Sequence, residues 1–572
     1  MFFPSFVFAT RRNRPQICIS LQRAIPKQNT MNIKQKKIIR ISAICLLVIL
    51  FVLAGAEIWI TRKIEAAIEH AIREQGGVPN KVHVGSISIY PLNRTIRLKH
   101  FVFGIDFPAK GTRFDLQMDR LTAGGIRLQG KEGIEFGSID LDSPVVTLSR
   151  RTGETLTDTI RRDTTKSSDL HSKFKDVLPG SIRVTDGSIR ITEEKGGRSI
   201  THSIQHLSFS TSQLSDILSS GSSRSTTTDL RLSIRQIQYQ FDENAMRLEA
   251  DTIVINRDSI HISALRLLPL YDKDEFATLA PGHADWMQIT SQDINGYGVD
   301  LIEWIIQKNF TADSIDIGAA RIESYKNRNI AQVQRIKPLF FQLLDRIPHP
   351  VDIQTIGFRN LQASYSELAP GKSVPGTLSF DKISGACRGI TNRPENSGQM
   401  ITLEATGLLQ NTAPMQLDLA WPADTTAPHF VATGSLGSMN LSLMNRMTEP
   451  IADLQIDSGK VNRLTFRITG DSIEAETELS LLYDDLQIEL LRLKEGKIRE
   501  RKLLSTVLDD LVLIPNNPHL GQTRIGTGTT LRDPYRSQFN YLWKSIETGI
   551  KSTLIGHHLK HDRPHRPSRK RF

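Results

Sequence analysis

The sequence predicts a mainly β protein: an N-terminal transmembrane helix, then a long curled antiparallel sheet forming a taco-like groove, with a few short helices. Three observations predict it. From Lys81 onward apolar residues recur at every second position, the period of a half-buried strand rather than a helix. Turn signals such as Asn93-Arg94, Asp186-Gly187 and Lys195-Gly196-Gly197 separate these runs, as hairpins require. A single apolar run, residues 41 to 60, matches the roughly 20 residues that cross a hydrocarbon core.

Taken in chain order, residues 1 to 40 form a basic cytoplasmic N-terminus with nine Lys or Arg and no acid. Met31, followed by Asn-Ile-Lys-Gln-Lys-Lys, is a natural start for a signal anchor, a reading that leaves residues 1 to 30 out of the mature chain. The helix at 41–60 has Leu46, Leu47, Val48, Ile49, Leu50 and Phe51 at its centre and Trp59 at the outer interface. Lys34, Lys36, Lys37 and Arg40 precede it, which by the positive-inside rule keeps the N-terminus inside and sends the body across. The competing reading is a signal peptide cleaved after Ala56, since Ala54-Gly55-Ala56 fits the small-x-small pattern. Against cleavage, Ile64, Ile68 and Ile72 extend the run as an amphipathic helix over 61–75, expected to cap the open end of a β layer.

The β body is expected in two portions, 81–347 and 348–533, meeting at Ile347-Pro348-His349-Pro350. Its alternating pairs include Ile87 and Ile89, Ile96 and Leu98, Ile182 and Val184, Ile189 and Ile191, Leu232 and Ile234, and Ile253 and Ile255. Met415, Leu417 and Leu419, and the series Ile473, Ala475, Thr477, Leu479 and Leu481, repeat the pattern later. Weak internal similarity links VGSISIYPLNRTIRL, FGSIDLDSPVVTLSR, DGSIRITEEKGGRSI, ADSIDIGAARIESYK and IQTIGFRNLQASYSE, too irregular in spacing for a strict solenoid. Helices are expected near 299–309, 336–346, 440–447 and 534–556, and a basic disordered tail at 557–572.

The formal charge of +11 lies at the ends, which together carry +14 and leave the body at −3. A basic pI confined to the tails speaks for membrane topology and points away from nucleic acid. Three cysteines, Cys18, Cys45 and Cys387, leave a single thiol in the body, so a disulfide framework and a CxxC site there are excluded.

The strong motifs for nucleotide, zinc-protease, hydrolase and calcium chemistry are absent, and no catalytic, cofactor or metal residue is assigned. Asp140 and Asp142 share one strand face, but solvation of a polar face accounts for them. His557, His558, His561 and His565 lack a framing carboxylate or thiol cluster, and Cys387, Tyr365 and Glu367 read as ordinary strand positions.

The anchor followed by VHVGSISIYPLNRTIRLKHFVF, with SIDLDSPVVTLSR, LPGSIRVTDGSIRITEE, IGFRNLQASYSELAPGKSVPGTLSFDKISGACRGITN, LQIDSGKVNRLTFRITGDSIEAETELSLLYDDLQIELL and FNYLWKSIETGIKSTLIG, resembles the AsmA-like family of Gram-negative envelope proteins, the group that includes the TamB-type proteins. The resemblance covers most of the chain from Met31 to Gly556 and implies an inner-membrane anchor, a periplasmic apolar β-groove and a role in passing phospholipid or another envelope lipid toward the outer membrane, where any partner is unidentified. It implies no enzyme. The family's best-supported bridges are much longer than this chain. The expected lipid-facing residues are Ile87, Ile89, Ile182, Val184, Ile189, Ile191, Leu232 and Ile234. The alternative expectation is a closed scaffold that assists outer-membrane assembly without carrying lipid.

Overall fold

The computed structural model describes residues 78 to 557 apart from 109–110, 130–132, 152–178, 196–197, 213–228, 242–244, 280–284, 331–333, 424–428, 495–496 and 503–510, together with six helical residues between 62 and 73. The expected transmembrane helix, with Leu46, Leu47, Val48, Ile49, Leu50, Phe51 and Trp59, lies outside the described residues, as do the basic N-terminus and residues 558 to 572. Among the described residues no helix is long and apolar enough to cross a membrane.

Among the described residues twenty-three strands form one continuous sheet, and most sequence neighbours are spatial neighbours. The first hairpin pairs Val78–Tyr90 with Thr95–Phe107, joined by a 3-10 turn whose Arg94 adopts a left-handed conformation. Antiparallel pairing throughout was the expectation, and two junctions overturn it. Ser138–Asp142 and Val145–Arg151 run parallel to Ser181–Lys195. Phe310–Ile317 and Ala320–Asn327 run parallel to Val351–Leu368. The sheet is therefore mixed. Side-chain alternation has period two in both pairings, so the sequence pattern cannot separate them; the long connections before Ser181 and Val351 are what parallel pairing demands.

These junctions are duplicates. In each, a strand broken in its middle, at Ser143-Pro144 or Gly318-Ala319, is followed by a crossover and then one long unbroken strand pairing with both fragments. The similar segments FGSIDLDSPVVTLSR and ADSIDIGAARIESYK are the two broken strands, and IQTIGFRNLQASYSE falls in the second long one. The Ile347-Pro348-His349-Pro350 segment ends the second crossover without interrupting the sheet, because Val351–Leu368 pairs on one side with the broken strand and on the other with Gly376–Thr391. Asn392 fastens that segment: its amide donates to the His349 carbonyl at 3.0 Å and its carbonyl oxygen accepts from the Val351 N–H at 2.7 Å.

A crease crosses the sheet. At the same level in seven strands across the sheet, His100, Asp186, His206, Gln236, Ala264, Asn360 and Lys382 have φ between 49° and 54°. Regular pairing lapses beside each one, for example between Lys99↔Arg120 and Phe101↔Met118 and between Thr252↔Ser263 and Glu249↔Arg266. The chain breaks at 143–144, 318–319 and 437–438 fall on the same line. Such bulges bend a strand and shift its side-chain parity by one. Apolar positions accordingly step by an odd number across the line, from Leu98 to Phe101, Leu121 to Met118, Val184 to Ile189 and Ile234 to Ile237. One apolar face thus continues from the first arm of each strand onto the second.

Besides the helical residues between 62 and 73, five helices are bounded among the described residues: α1 (Phe276–Leu279), α2 (Leu301–Gln307), α3 (Phe340–Asp345), α4 (Asn445–Ala452) and α5 (Gln538–Leu554). Asp300 caps α2, accepting from the Glu303 N–H at 2.9 Å, and Ser537 caps α5 by accepting from the Asn540 N–H at 3.4 Å. Leu301 and Ile302 of α2, Leu339 at the cap of α3, and Tyr541 and Leu542 of α5 join Ile353, Ile401, Trp421, Phe430 and Ile468 of the first arms in the main core. Helix α5 lies tight on the sheet through small residues four apart, Ser545, Gly549 and Thr553; a Cβ on Gly549 would stand 2.8 Å from Leu479 Cβ. A second cluster around Tyr483, Val461 and Leu486 closes the C-terminal end, and a third around Met246, Trp286 and Tyr325 lines an outer edge.

Candidate functional site

Register places the apolar side chains in rows. Ile87 faces Leu98, which faces Leu121, then Leu141, Val184, Phe209, Leu232, Ile255 and Ile260 across successive strands. The row continues through Gly296, Ile315, Ile356, Cys387, Leu403, Leu419, Ala432 and Ile468 to Thr477. A parallel row runs Ile89, Ile96, Ala123, Ile139 and Ile182.

The two ends of the long row differ in cover. From Leu98 to Ile260 the side chains are half-buried, and none of the five helices is drawn from this part of the chain. From Leu419 onward they are sealed: Leu419 is 2% exposed and Ala432 and Ile468 are 0% exposed. The change is gradual: Phe209, Ile255 and Ile260 already pack against the main core, Val299 lies over Gly296, whose added Cβ would stand 3.2 Å from Val299 Cγ2, and Ile315, Ile356, Cys387 and Leu403 beyond it are still half-buried.

All eight residues expected to face lipid lie in strands on this face. Val184 and Leu232 flank Phe209 in the long row, while Ile189 pairs with Ile204 and Ile191 with His202 on the second arm. Ile182, Val184, Ile189, Ile191 and Leu232 are half-buried. Ile87 at 3% and Ile234 at 9% are buried, so they serve packing more than contact, whereas Ile89 at the sheet's first strand is 47% exposed. Ile473 is corrected: it stands in a turn, 67% exposed, where Asp471 accepts its N–H at 2.6 Å.

Sequence reading passed over Phe209, a row member whose alternation is masked by the His206 bulge, and His202, a polar residue inside an apolar row. Gln240 N–H donates to His202 Nδ1 at 3.2 Å, the imidazole stacks on Tyr239 at 4.3 Å, and burial pushes its pKa down. It is a neutral member of the face, consistent with its neighbours. Cys387 lies in the long row, its thiol pushed up by burial to about 11, which makes it a packing residue rather than a nucleophile. Tyr365 donates to the Glu367 carboxylate, with Arg328 on the same carboxylate at 2.9 Å.

The free edge has a cover of its own. Helical Glu65 accepts the Val84 N–H of the edge strand at 2.8 Å, consuming a donor that would otherwise invite another strand. The opposite face carries cross-strand ion pairs, among them Arg120 with Asp142 at 2.8 Å and Arg388 with Glu404 at 2.8 Å. Asp140 stands 4.0 Å from Arg183, so the Asp140 and Asp142 carboxylates each answer a different cation. Among the described residues no group of three or more His, Cys, Asp or Glu is placed to hold a metal.

No protein-family model matches the chain, and no curated protein matches it.

Proposed function

We propose that this protein is a membrane-anchored envelope protein whose apolar sheet face binds acyl chains and passes lipid along it. The observation that carries the reading is the long apolar row, half-buried over its N-terminal strands and sealed by helices only at its C-terminal end. An acyl chain laid on such a row gains about 0.8 kcal/mol per methylene removed from water, while its headgroup stays in solvent. The basic residues before 41–60 support an anchor in the inner membrane with the body in the periplasm. The resemblance to AsmA-like proteins supports the same assignment, as a non-enzymatic protein of outer-membrane biogenesis.

Lipid extraction and mass spectrometry of the purified full chain test the reading. Phospholipid is expected to copurify, and the double variant Val184→Asp with Leu232→Asp is expected to lose most of it while retaining its circular dichroism. Equal lipid in a folded variant would refute it. The second reading, a scaffold that carries no lipid, is favoured by the closed C-terminal end, where Leu479 and Tyr483 are 0% exposed. Absence of lipid from the wild-type chain is its expected signature.

A further inference from the structure

The first hairpin ends in a tip whose apolar side chains the packing of the sheet does not use. Leu92 is 99% exposed, and its neighbours Ile89 and Tyr90 are 47% and 41% exposed. The tip is braced all the same. The Arg94 N–H donates to the Pro91 carbonyl at 3.2 Å, and the Arg94 carbonyl accepts from the Ile126 N–H at 3.1 Å. The Arg97 guanidinium stands 5.3 Å from the centre of the Tyr90 ring. A polar residue at 92 would serve this turn as well, so packing gives no reason for leucine there.

One exposed leucine is ordinary, but the setting of this one is not. Residues 78 to 105, the hairpin with its tip, carry Lys81, Arg94, Arg97 and Lys99 and no acid, although the body as a whole is slightly acidic. Apolar side chains and a tyrosine set among lysines and arginines match the surface of an anionic bilayer, where the ring sits at headgroup level and the cations meet phosphates.

The tip also lies at the end of the body where the chain arrives. Glu65 meets the edge strand at Val84. Val78 is about 20 Å down that strand from Val84, at roughly 3.3 Å per residue. Arg73 is about 12 Å along the helix from Glu65, at roughly 1.5 Å per residue. The stretch from Arg73 to Val78 reaches at most about 18 Å. It closes only if the helix runs back toward Val78, antiparallel to the strand, so its N-terminal end points toward Tyr90. The chain enters the body at residue 61, on that same end. Ile89 and Ile96, cross-strand partners next to the tip, begin the apolar row that continues through Ala123, Ile139 and Ile182.

We infer that the Tyr90–Arg94 tip dips into the anionic phospholipid bilayer that holds the anchor, with Leu92 below the headgroups and Arg94 and Arg97 among the phosphates, and that acyl chains step from there onto the row beginning at Ile89. The inference rests on the anchored, lipid-carrying reading and gives it an entrance.

The test uses the full chain reconstituted in vesicles of phosphatidylethanolamine and phosphatidylglycerol. In a Cys18→Ser, Cys45→Ser background, Leu92→Cys carries an environment-sensitive fluorophore, while Cys387 stays unlabelled because burial holds its thiol protonated. Leu520→Cys, at a leucine 90% exposed beside the last strands, is the control. Nitroxide-labelled lipid is expected to quench the label at 92 at least threefold more than the label at 520. Equal quenching overturns the membrane contact, whatever lipid the chain carries. Leu92→Asp, at a site outside every core, is expected to keep the melting temperature of wild type and to copurify with at least fivefold less lipid. Quenching at 92 together with undiminished lipid in Leu92→Asp overturns the entrance. A wild-type chain quenched at 92 that carries no lipid overturns the entrance and the lipid-binding reading together, and leaves the membrane contact standing.

Discussion

Substitution at Gly549 measures how closely α5 sits on the sheet. In an exposed helix, Gly→Ala stabilises by about 1 kcal/mol through backbone entropy. Here the added methyl would stand 2.8 Å from Leu479 Cβ and 3.2 Å from Thr477 Cγ2, against an ordinary carbon contact near 3.5–4.0 Å. Leu479 is 0% exposed and cannot yield, so the helix must lift by several tenths of an ångström, taking Tyr541, Ser545 and Thr553 with it. Overpacking of this kind costs about 1–3 kcal/mol, which outweighs or cancels the helix gain. Gly549→Ala is therefore expected to be neutral to about 2 kcal/mol destabilising, and Gly549→Val, with a stiffer and larger side chain, about 2–4 kcal/mol. Urea unfolding monitored by circular dichroism reads both, with Lys544→Ala as the solvent-facing control expected within about 0.5 kcal/mol of wild type. A Gly549→Ala protein more stable than wild type by about 1 kcal/mol would refute the close approach of α5 and with it the sealed end.

Two further outcomes follow from buried polar groups. Lys326, 7% exposed in its side chain, stands 3.2 Å from Asp285, which Lys337 also meets at 2.8 Å; Asp285→Asn leaves that lysine buried without its countercharge and is expected to destabilise by about 3 kcal/mol in urea titration, whereas an effect below about 0.5 kcal/mol would show the pair to be solvated. Burial depresses the His202 pKa, so its stabilising contribution is full above the unfolded value near 6.5 and is lost as pH falls through the folded value. Unfolding free energy is thus expected to decline below about pH 6.5 by at most about 1.4 kcal/mol per unit from this residue, and His202→Phe to flatten that part of the profile; an unchanged slope would remove His202 from the apolar face.

The sequence by itself determined the strands, because a half-buried strand must alternate and each of these does. Ile87 with Ile89, Ile182 with Val184 and Leu232 with Ile234 all lie in strands, and α2, α3 and α5 fall in segments whose spacing lengthens to helical, while the helix expected at 440–447 is a 3-10 turn over Leu441–Met444 followed by α4 at Asn445–Ala452. Tertiary structure alone decided three things. Alternation has the same period in parallel and antiparallel neighbours, so the pairing of Ser181–Lys195 and Val351–Leu368 followed from their crossovers and not from their residues. The odd steps from Val184 to Ile189 and Ile234 to Ile237 look like lapses of pattern in one strand, and only the alignment of His100, Asp186, His206, Gln236 and Asn360 across many strands makes them a crease. Finally, neither Ile182 nor Ile468 carries a local sign of its cover. The first is half-buried and the second sealed because α2, α3 and α5, drawn from distant stretches of chain, settle over one end of the face and not over the other.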